Sequence, residues 1–287
     1  MKKALALLLC GVMSMALLTG CGSDGAAETN TDAAETTDNA AENETEESEA
    51  ASGERTTFTV GFDAEYPPYG YMDDNGEYTG FDLELAQAVC ELEGWELVKT
   101  PIAWDSKDME LNSGSIDCIW NGFTINGRED DYTWSDPYCD NSQVIVVAEN
   151  SGITTLADLA GKTVGVQADS AALEVLSDEE QQKALADTFG TLQQFADYNS
   201  AFTELLAGSL DAIAIDIGVA NYQIESRGEG YVILEEKLNS EQYGIGFKLG
   251  NEELRDIVNA DIRKLTEDGT VAELAEKYGI TDLICLE

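Results

Sequence analysis

Arg128 and Asp216 carry the opposite charges from which a small-molecule site can be built. A planar guanidinium takes a carboxylate on two parallel hydrogen bonds, and Arg128 is the arginine of a short polar turn. Asp216 ends an apolar run at 210–215 that reads as a strand. At the carboxyl end of a strand in an open α/β sheet, a side chain faces the crevice where such sheets bind ligands; the alternative is a cap on the helix that follows. Ser170 follows a strand and opens a helix, so its hydroxyl either caps that helix or joins the first backbone N–H groups in holding an anion. Asp63 ends the first strand, where it either reads a ligand's far end or is a solvated loop acid. The chain has no histidine, which removes the commonest metal ligand and the usual neutral-pH acid–base group. No Cys-x-x-Cys pair occurs, so neither a metal site nor a cofactor is expected.

The elements that must position these residues alternate. Residues 57–62 read as a strand, 66–70 as a proline-containing loop and 74–76 as a tight turn. Apolar residues at helical spacing mark 81–92, with Gly94 near the end. Strands at 95–102 and 116–120 flank a helix that Ser113 and Gly114 close. Further strands are expected at 144–148, 162–166, 210–215 and 243–247. Helices are expected from Ser170 to Leu176, at 200–207, at 252–268 and at 271–278. Strand–helix–strand alternation implies parallel sheets with crossovers, and it occurs twice, around a middle segment at about 149–239.

The formal net charge is -42 at pH 7. That argues against a nucleic-acid partner and against direct docking on anionic lipid. At the N-terminus, Lys2 and Lys3 precede an apolar stretch at 4–18 that is too short to span a bilayer. It ends in Leu18-Thr19-Gly20-Cys21, which resembles the lipobox of bacterial lipoproteins. Residues 1–20 are then a signal peptide, and Cys21 is lipidated. Residues 21–55, acidic and without large apolar side chains, form a disordered tether. No later apolar run approaches a membrane span. Cys90, Cys118, Cys139 and Cys285 remain, either as disulfides, which an exported location permits, or as buried thiols.

A succession of motifs covers 58–280. It comprises Tyr66-Pro67-Pro68-Tyr69, Gly80-Phe81-Asp82, Leu111-Asn112-Ser113-Gly114-Ser115-Ile116-Asp117 and Gly122-Phe123-Thr124-Ile125. Arg128, Ser135-Asp136-Pro137-Tyr138, Asp158-Leu159-Ala160-Gly161-Lys162-Thr163-Val164-Gly165-Val166 and Leu210-Asp211-Ala212 follow in order. Together they resemble the polar amino-acid substrate-binding proteins of ABC importers, the family 3 solute-binding proteins. The turn before Arg128 is one residue shorter than the family pattern.

The resemblance implies a type II periplasmic-binding-protein-like α/β fold. Each of its two lobes is a mixed, mostly parallel sheet flanked by helices, and two hinge crossovers join them. Lobe 1 would be 56–147 plus 241–287, and lobe 2 148–240. It also implies roles for residues around an interlobe cleft. Arg128 clamps a ligand carboxylate and Asp216 binds its ammonium. Thr124, the backbone of Gly122 and Ser170 bond the ligand's main-chain groups. Tyr66 and Trp104 form an aromatic wall, and Asp63 lies at the side-chain end; Tyr69, Tyr71 and Trp120 are core or rim. The expected protein is a monomeric, lipid-anchored extracytoplasmic receptor, not an enzyme, that hands a polar amino acid to importer permease subunits. The permease and ATPase are separate chains, since no G-x-x-x-x-G-K-[ST] loop occurs. The alternatives are an exported cyclohexadienyl dehydratase-like enzyme, with Glu65 or Asp63 as the acid, and a ligand-sensing domain.

Overall fold

The computed structural model describes residues 55–286. The expected signal peptide, the lipidation site at Cys21 and all but the last residue of the expected tether lie outside them. The chain opens with strand β1 (Thr57–Phe62) and a small antiparallel sheet of β2 (Glu65–Tyr66), β3 (Gly70–Met72) and β4 (Tyr78–Thr79). It continues with α1 (Phe81–Glu93), β5 (Glu96–Pro101), α2 (Lys107–Ser113), β6 (Cys118–Thr124), β7 (Thr133–Trp134) and β8 (Cys139–Asn141). A second set follows: β9 (Gln143–Ala148), β10 (Thr163–Gln167), α3 (Ala171–Ser177), α4 (Lys183–Ala186), β11 (Thr191–Phe195), α5 (Tyr198–Ala207), β12 (Ala212–Asp216), α6 (Ile217–Arg227) and β13 (Tyr231–Ile233). The chain returns through β14 (Glu241–Phe247), α7 (Glu252–Glu267) and α8 (Thr270–Lys277).

Two larger sheets result, one in each lobe. The first has the order β5-β1-β6-β14-β7, with β8 also paired to β14; β1 is parallel to β5 and β6, and β14 is antiparallel to β6. The second has the order β11-β10-β12-β9-β13; β10 is parallel to β11 and β12, and β9 is antiparallel to β12. In each sheet, therefore, the strand arriving from the other lobe lies antiparallel beside a central parallel strand. The chain passes from the first sheet to the second at Ser142, between β8 and β9, and returns between β13 and β14. The sequence reading placed the first boundary after Val147. The apolar run Val144–Val147 fits either sheet, and only its pairing with β12 assigns it to the second.

Local chemistry explains most elements. In α1, Phe81, Leu83, Leu85, Ala86, Val89 and Cys90 are buried, and Gly94 in the left-handed conformation ends the helix. In α7, Leu254, Val258, Ile262 and Leu265 recur at helical spacing and pack into the core of the first lobe. Tyr69 and Trp120 are fully buried and Tyr71 is partly so. Cys90, Cys118 and Cys139 are buried free thiols, and Cys285 is a half-buried one. Among the described residues no helix is long and apolar enough to cross a membrane.

β6 runs on to Thr124, past the expected end at Trp120, and does so through Gly122 at φ +58°. A Cβ there would stand 3.0 Å from the Tyr243 ring, 3.1 Å from Tyr66 and 3.2 Å from Tyr69. The missing side chain is what lets three tyrosines close over the strand. The Gly122 N–H donates to Asp82 Oδ2 at 2.6 Å, and Tyr138 Oη donates to the same oxygen at 2.8 Å. Burial pushes the Asp82 carboxyl up to about 7. Gly122→Ala combines backbone strain with three tight ring contacts. It should cost about 1–3 kcal/mol in urea unfolding; an unchanged midpoint would contradict this reading of the strand.

Candidate functional site

The ends of these strands line a narrow cavity between the lobes. The lobe of the first sheet supplies Tyr66, Trp104, Asn121, Gly122, Thr124 and Arg128 to its lining; the other supplies Gln167, Ser170, Ala171 and Asp216. The charged groups of this lining are thus one cation, Arg128, and one carboxylate, Asp216, on opposite lobes. Asp63 does not line the cavity. It is held one side chain behind the wall, where Oδ2 accepts from Gln167 Nε2 at 2.6 Å and its backbone N–H donates to Asn121 Oδ1 at 2.8 Å. Burial pushes the Asp63 carboxyl up to about 6, against the lowering by its hydrogen bonds from the Glu65 backbone and Gln167.

The shortened loop before Arg128 is a tight turn. Arg128 N–H donates to Ile125 O at 2.9 Å, and Gly127 takes φ +85°. Glycine permits the turn, and the arginine still reaches the cavity. Its guanidinium lies 5.2 Å over the Phe123 ring, donates through Nη1 to Thr124 O at 3.4 Å and meets Glu174 across the cleft at 2.8 Å. Ser170 caps α3, since its Oγ accepts from Leu173 N at 3.2 Å while donating to Gln167 O at 2.8 Å. Asp216 stands at the N-terminus of α6 but makes no side-chain capping bond.

Asp216 is bonded instead to the hinge. Its Oδ1 accepts from Tyr243 Oη at 2.6 Å and from Asn141 Nδ2 and Gln143 Nε2 at 2.7 Å each. Burial, with the nearby Glu241 charge second, pushes its carboxyl up to about 6.

The lobes also meet around the cavity rim. Trp104 Nε1 donates to Asp169 O at 3.2 Å, Lys107 pairs with the Asp169 carboxylate, and Asn199 bonds Glu65. Asp169 takes φ +57°, a left-handed conformation that aspartate tolerates better than most residues. The structure is therefore a closed form, with both the side chain and the backbone of Asp169 facing the other lobe.

Sequence reasoning missed Asn121, Gln167 and Ala171 as lining residues, along with Glu174 and Glu241. Asn121 precedes Gly122 on β6 and Gln167 ends β10, so the rule that ligands meet the carboxyl ends of parallel strands could have found both. Nothing in the local sequence singles out Glu174 or Glu241.

The Lys107 side chain is only 3% exposed and that of Asp169 46% exposed, which places their ion pair between the surface and buried regimes. A double-mutant cycle of Lys107→Met and Asp169→Asn should therefore give a coupling of about 1–2 kcal/mol in urea unfolding. Strict additivity would remove the pair from the forces closing the cleft.

Residues 58–281 match the model of the bacterial extracellular solute-binding proteins, family 3. The L-cystine-binding protein TcyJ of Escherichia coli (strain K12) is 32% identical over 228 residues, covering 78% of this chain and 83% of that protein. The arginine-binding extracellular protein ArtP of Bacillus subtilis (strain 168) is 29% identical over 282 residues, covering 97% of this chain and 98% of that protein. A crystal structure of an ABC uptake transporter substrate-binding protein from Streptococcus pneumoniae with bound histidine has 34% sequence identity and a TM-score of 0.74, covering 77% of this chain and 92% of that one. With a cleft between two doubly crossed lobes and a family match across nearly all the described residues, the chain belongs to the family 3 bacterial extracellular solute-binding proteins.

Proposed function

We propose that this protein is an extracytoplasmic receptor that captures a free polar amino acid in the interlobe cavity and delivers it to an ABC importer. One observation carries the reading: a single guanidinium and a single carboxylate, on opposite lobes, line one closed cavity. A zwitterion meets both charges at once, whereas Asp216 left buried without a cation costs several kcal/mol. Arg128 takes the α-carboxylate, displacing or sharing Glu174. Asp216 takes the α-ammonium. Thr124, the Gly122 backbone and Ser170 add polar contacts, and Tyr66 and Trp104 flank the side chain. Asp63, behind Gln167, favours a polar or cationic side-chain end. The names of relatives, which specify cystine, arginine and histidine, support a ligand of that class.

Because the two charged groups belong to different lobes, the ligand itself bridges them and stabilises the closed form. A permease that prefers this form then distinguishes loaded from empty receptor. Lipid attached at Cys21 would hold the monomeric receptor at the outer face of the cell membrane, with 22–55 as the tether.

Two experiments test this. Melting of the purified protein is measured with each common L-amino acid and with L-cystine at excess. A ligand at about 100 times its dissociation constant adds about 2.7 kcal/mol of stability. A clear shift from one amino acid, abolished by Arg128→Ala and by Asp216→Ala, is expected; no shift from any of them would refute the amino-acid reading. For the anchor, Cys21→Ser should release the protein from the membrane fraction into the medium and end palmitate labelling. A variant that still labels and sediments with membranes would contradict lipidation at Cys21.

A further inference from the structure

Behind Asp216 lies a second buried carboxylate that the receptor reading does not use. Glu241 is 4% exposed and Asp216 3% exposed. Glu241 Oε1 accepts from Asn141 Nδ2, Gln143 Nε2 and Thr124 Oγ1, each at 2.8 Å, and Oε2 accepts from Asn239 Nδ2 at 2.8 Å. The two amides that serve Glu241 are the same two that serve Asp216. Asn141 and Gln143 flank the outgoing crossover, and Asn239 and Glu241 the returning one, so the network ties both hinge segments together. It is short of donors. The buried Asn141 Oδ1 and Gln143 Oε1 have no hydrogen-bond partner. No lysine or arginine pairs with either carboxylate among the described residues. Two negative charges on neutral donors alone favour the addition of a proton or a cation.

We propose that Glu241 is a positioning residue that acts through Asp216: its charge, held on the two amides that also serve Asp216, keeps a proton on Asp216 in the empty receptor, and the ligand's ammonium replaces that proton when the lobes close. The proton leaves to solvent, and the ammonium stays protonated against Asp216. Hinge geometry and ligand charge are thereby linked through one hydrogen-bond network. The inference rests on the amino-acid reading of the cavity for its ligand step but not for the proton on Asp216.

Several groups surround the pair. Tyr66, Tyr69, Tyr198 and Tyr243 face Asp216, and Asp63 adds negative charge near Tyr198. Arg128 lines the same cavity, and Lys237 is bonded to Ser142 in the groove that Glu241 also lines. Burial and then the Glu241 charge push the Asp216 carboxyl up, which agrees with a proton held there. A carboxyl whose folded pKa lies above its unfolded value contributes stability below about pH 4, and that contribution is lost as pH rises through the folded value.

The test begins without ligand. Melting temperature of the purified wild type is followed from pH 4.5 to 7.5 beside Glu241→Gln, Glu241→Asp and Asp216→Asn. Asp63 and Asp82 also titrate in this range but are common to all four proteins, so the difference curves isolate the pair. The fall in melting temperature between pH 5 and 7 should be smaller in Glu241→Gln and in Asp216→Asn and restored in Glu241→Asp. Should Glu241→Gln fail to fold, Asp216→Asn against wild type decides. Superimposable profiles would overturn the proposal.

The second arm is calorimetry with L-arginine and with L-cystine at pH 6 and pH 8, in buffers of different ionisation enthalpy. Wild type should release a fraction of a proton per ligand at pH 6 and almost none at pH 8, and Glu241→Gln should release less at pH 6. Binding without proton release at pH 6 would overturn the ligand step. If neither amino acid binds, the receptor reading fails, and the ligand-free profiles still decide whether Glu241 holds a proton on Asp216.

Discussion

A carboxylate buried without a cation is the constraint on which this structure turns. Asp216 is closed off from solvent at the end of a central strand, and the protein gives it neutral donors only. Three hydrogen bonds reduce the desolvation cost but do not remove it. The unmet charge across the cavity from Arg128 makes the empty closed state expensive and a bound zwitterion favourable.

The fold serves this arrangement by giving each lobe one of the two charges. Central strands β6 and β12 bring their carboxyl ends to the cleft, and each is flanked by a strand that has crossed from the other lobe. Arg128 hangs from a turn just beyond β6, and Asp216 is the last residue of β12. Contacts at the rim, centred on Asp169, close the cavity without entering it. A left-handed aspartate at that point is a local strain that the cross-cleft bonds hold in place. Glu174 meets Arg128 across the cleft, so the guanidinium has a counter-charge in the closed form.

Much of this was legible in the sequence because it is local. The apolar faces of α1 and α7, the glycine ends of α1, α2 and α5, and the strand–helix alternation are written in short windows. Four of the ten lining residues, Tyr66, Gly122, Thr124 and Arg128, lie in the succession of motifs, and Ser170 and Asp216 were named from their places at a helix start and a strand end. What escaped was non-local. β11 is a half-exposed edge strand, Thr-Leu-Gln-Gln-Phe, with little apolar signal, and its identity rests on pairing with β10. Val144–Val147 reads as a buried strand without saying in which sheet. Gln167 and Asn121 are neutral polar residues, and sequence alone does not tell a cavity wall from a surface. Glu241 lies far along the chain from Asn141 and Gln143, yet shares both with Asp216. Only the return of the chain through the second hinge brings them together.

The measurement that bears most directly on this account compares the amino acid giving the largest melting shift with its methyl ester and its N-acetyl derivative, by calorimetry. The ester removes the charge for Arg128 and the acetyl group removes the charge for Asp216. The ester leaves Arg128 to Glu174 alone and the acetyl derivative leaves Asp216 without a cation, so both should bind more weakly than the parent, the acetyl derivative by at least about 100-fold. A derivative that binds as tightly as the parent would show that the corresponding charge does not hold the ligand, and the two-charge account of the cleft would fall.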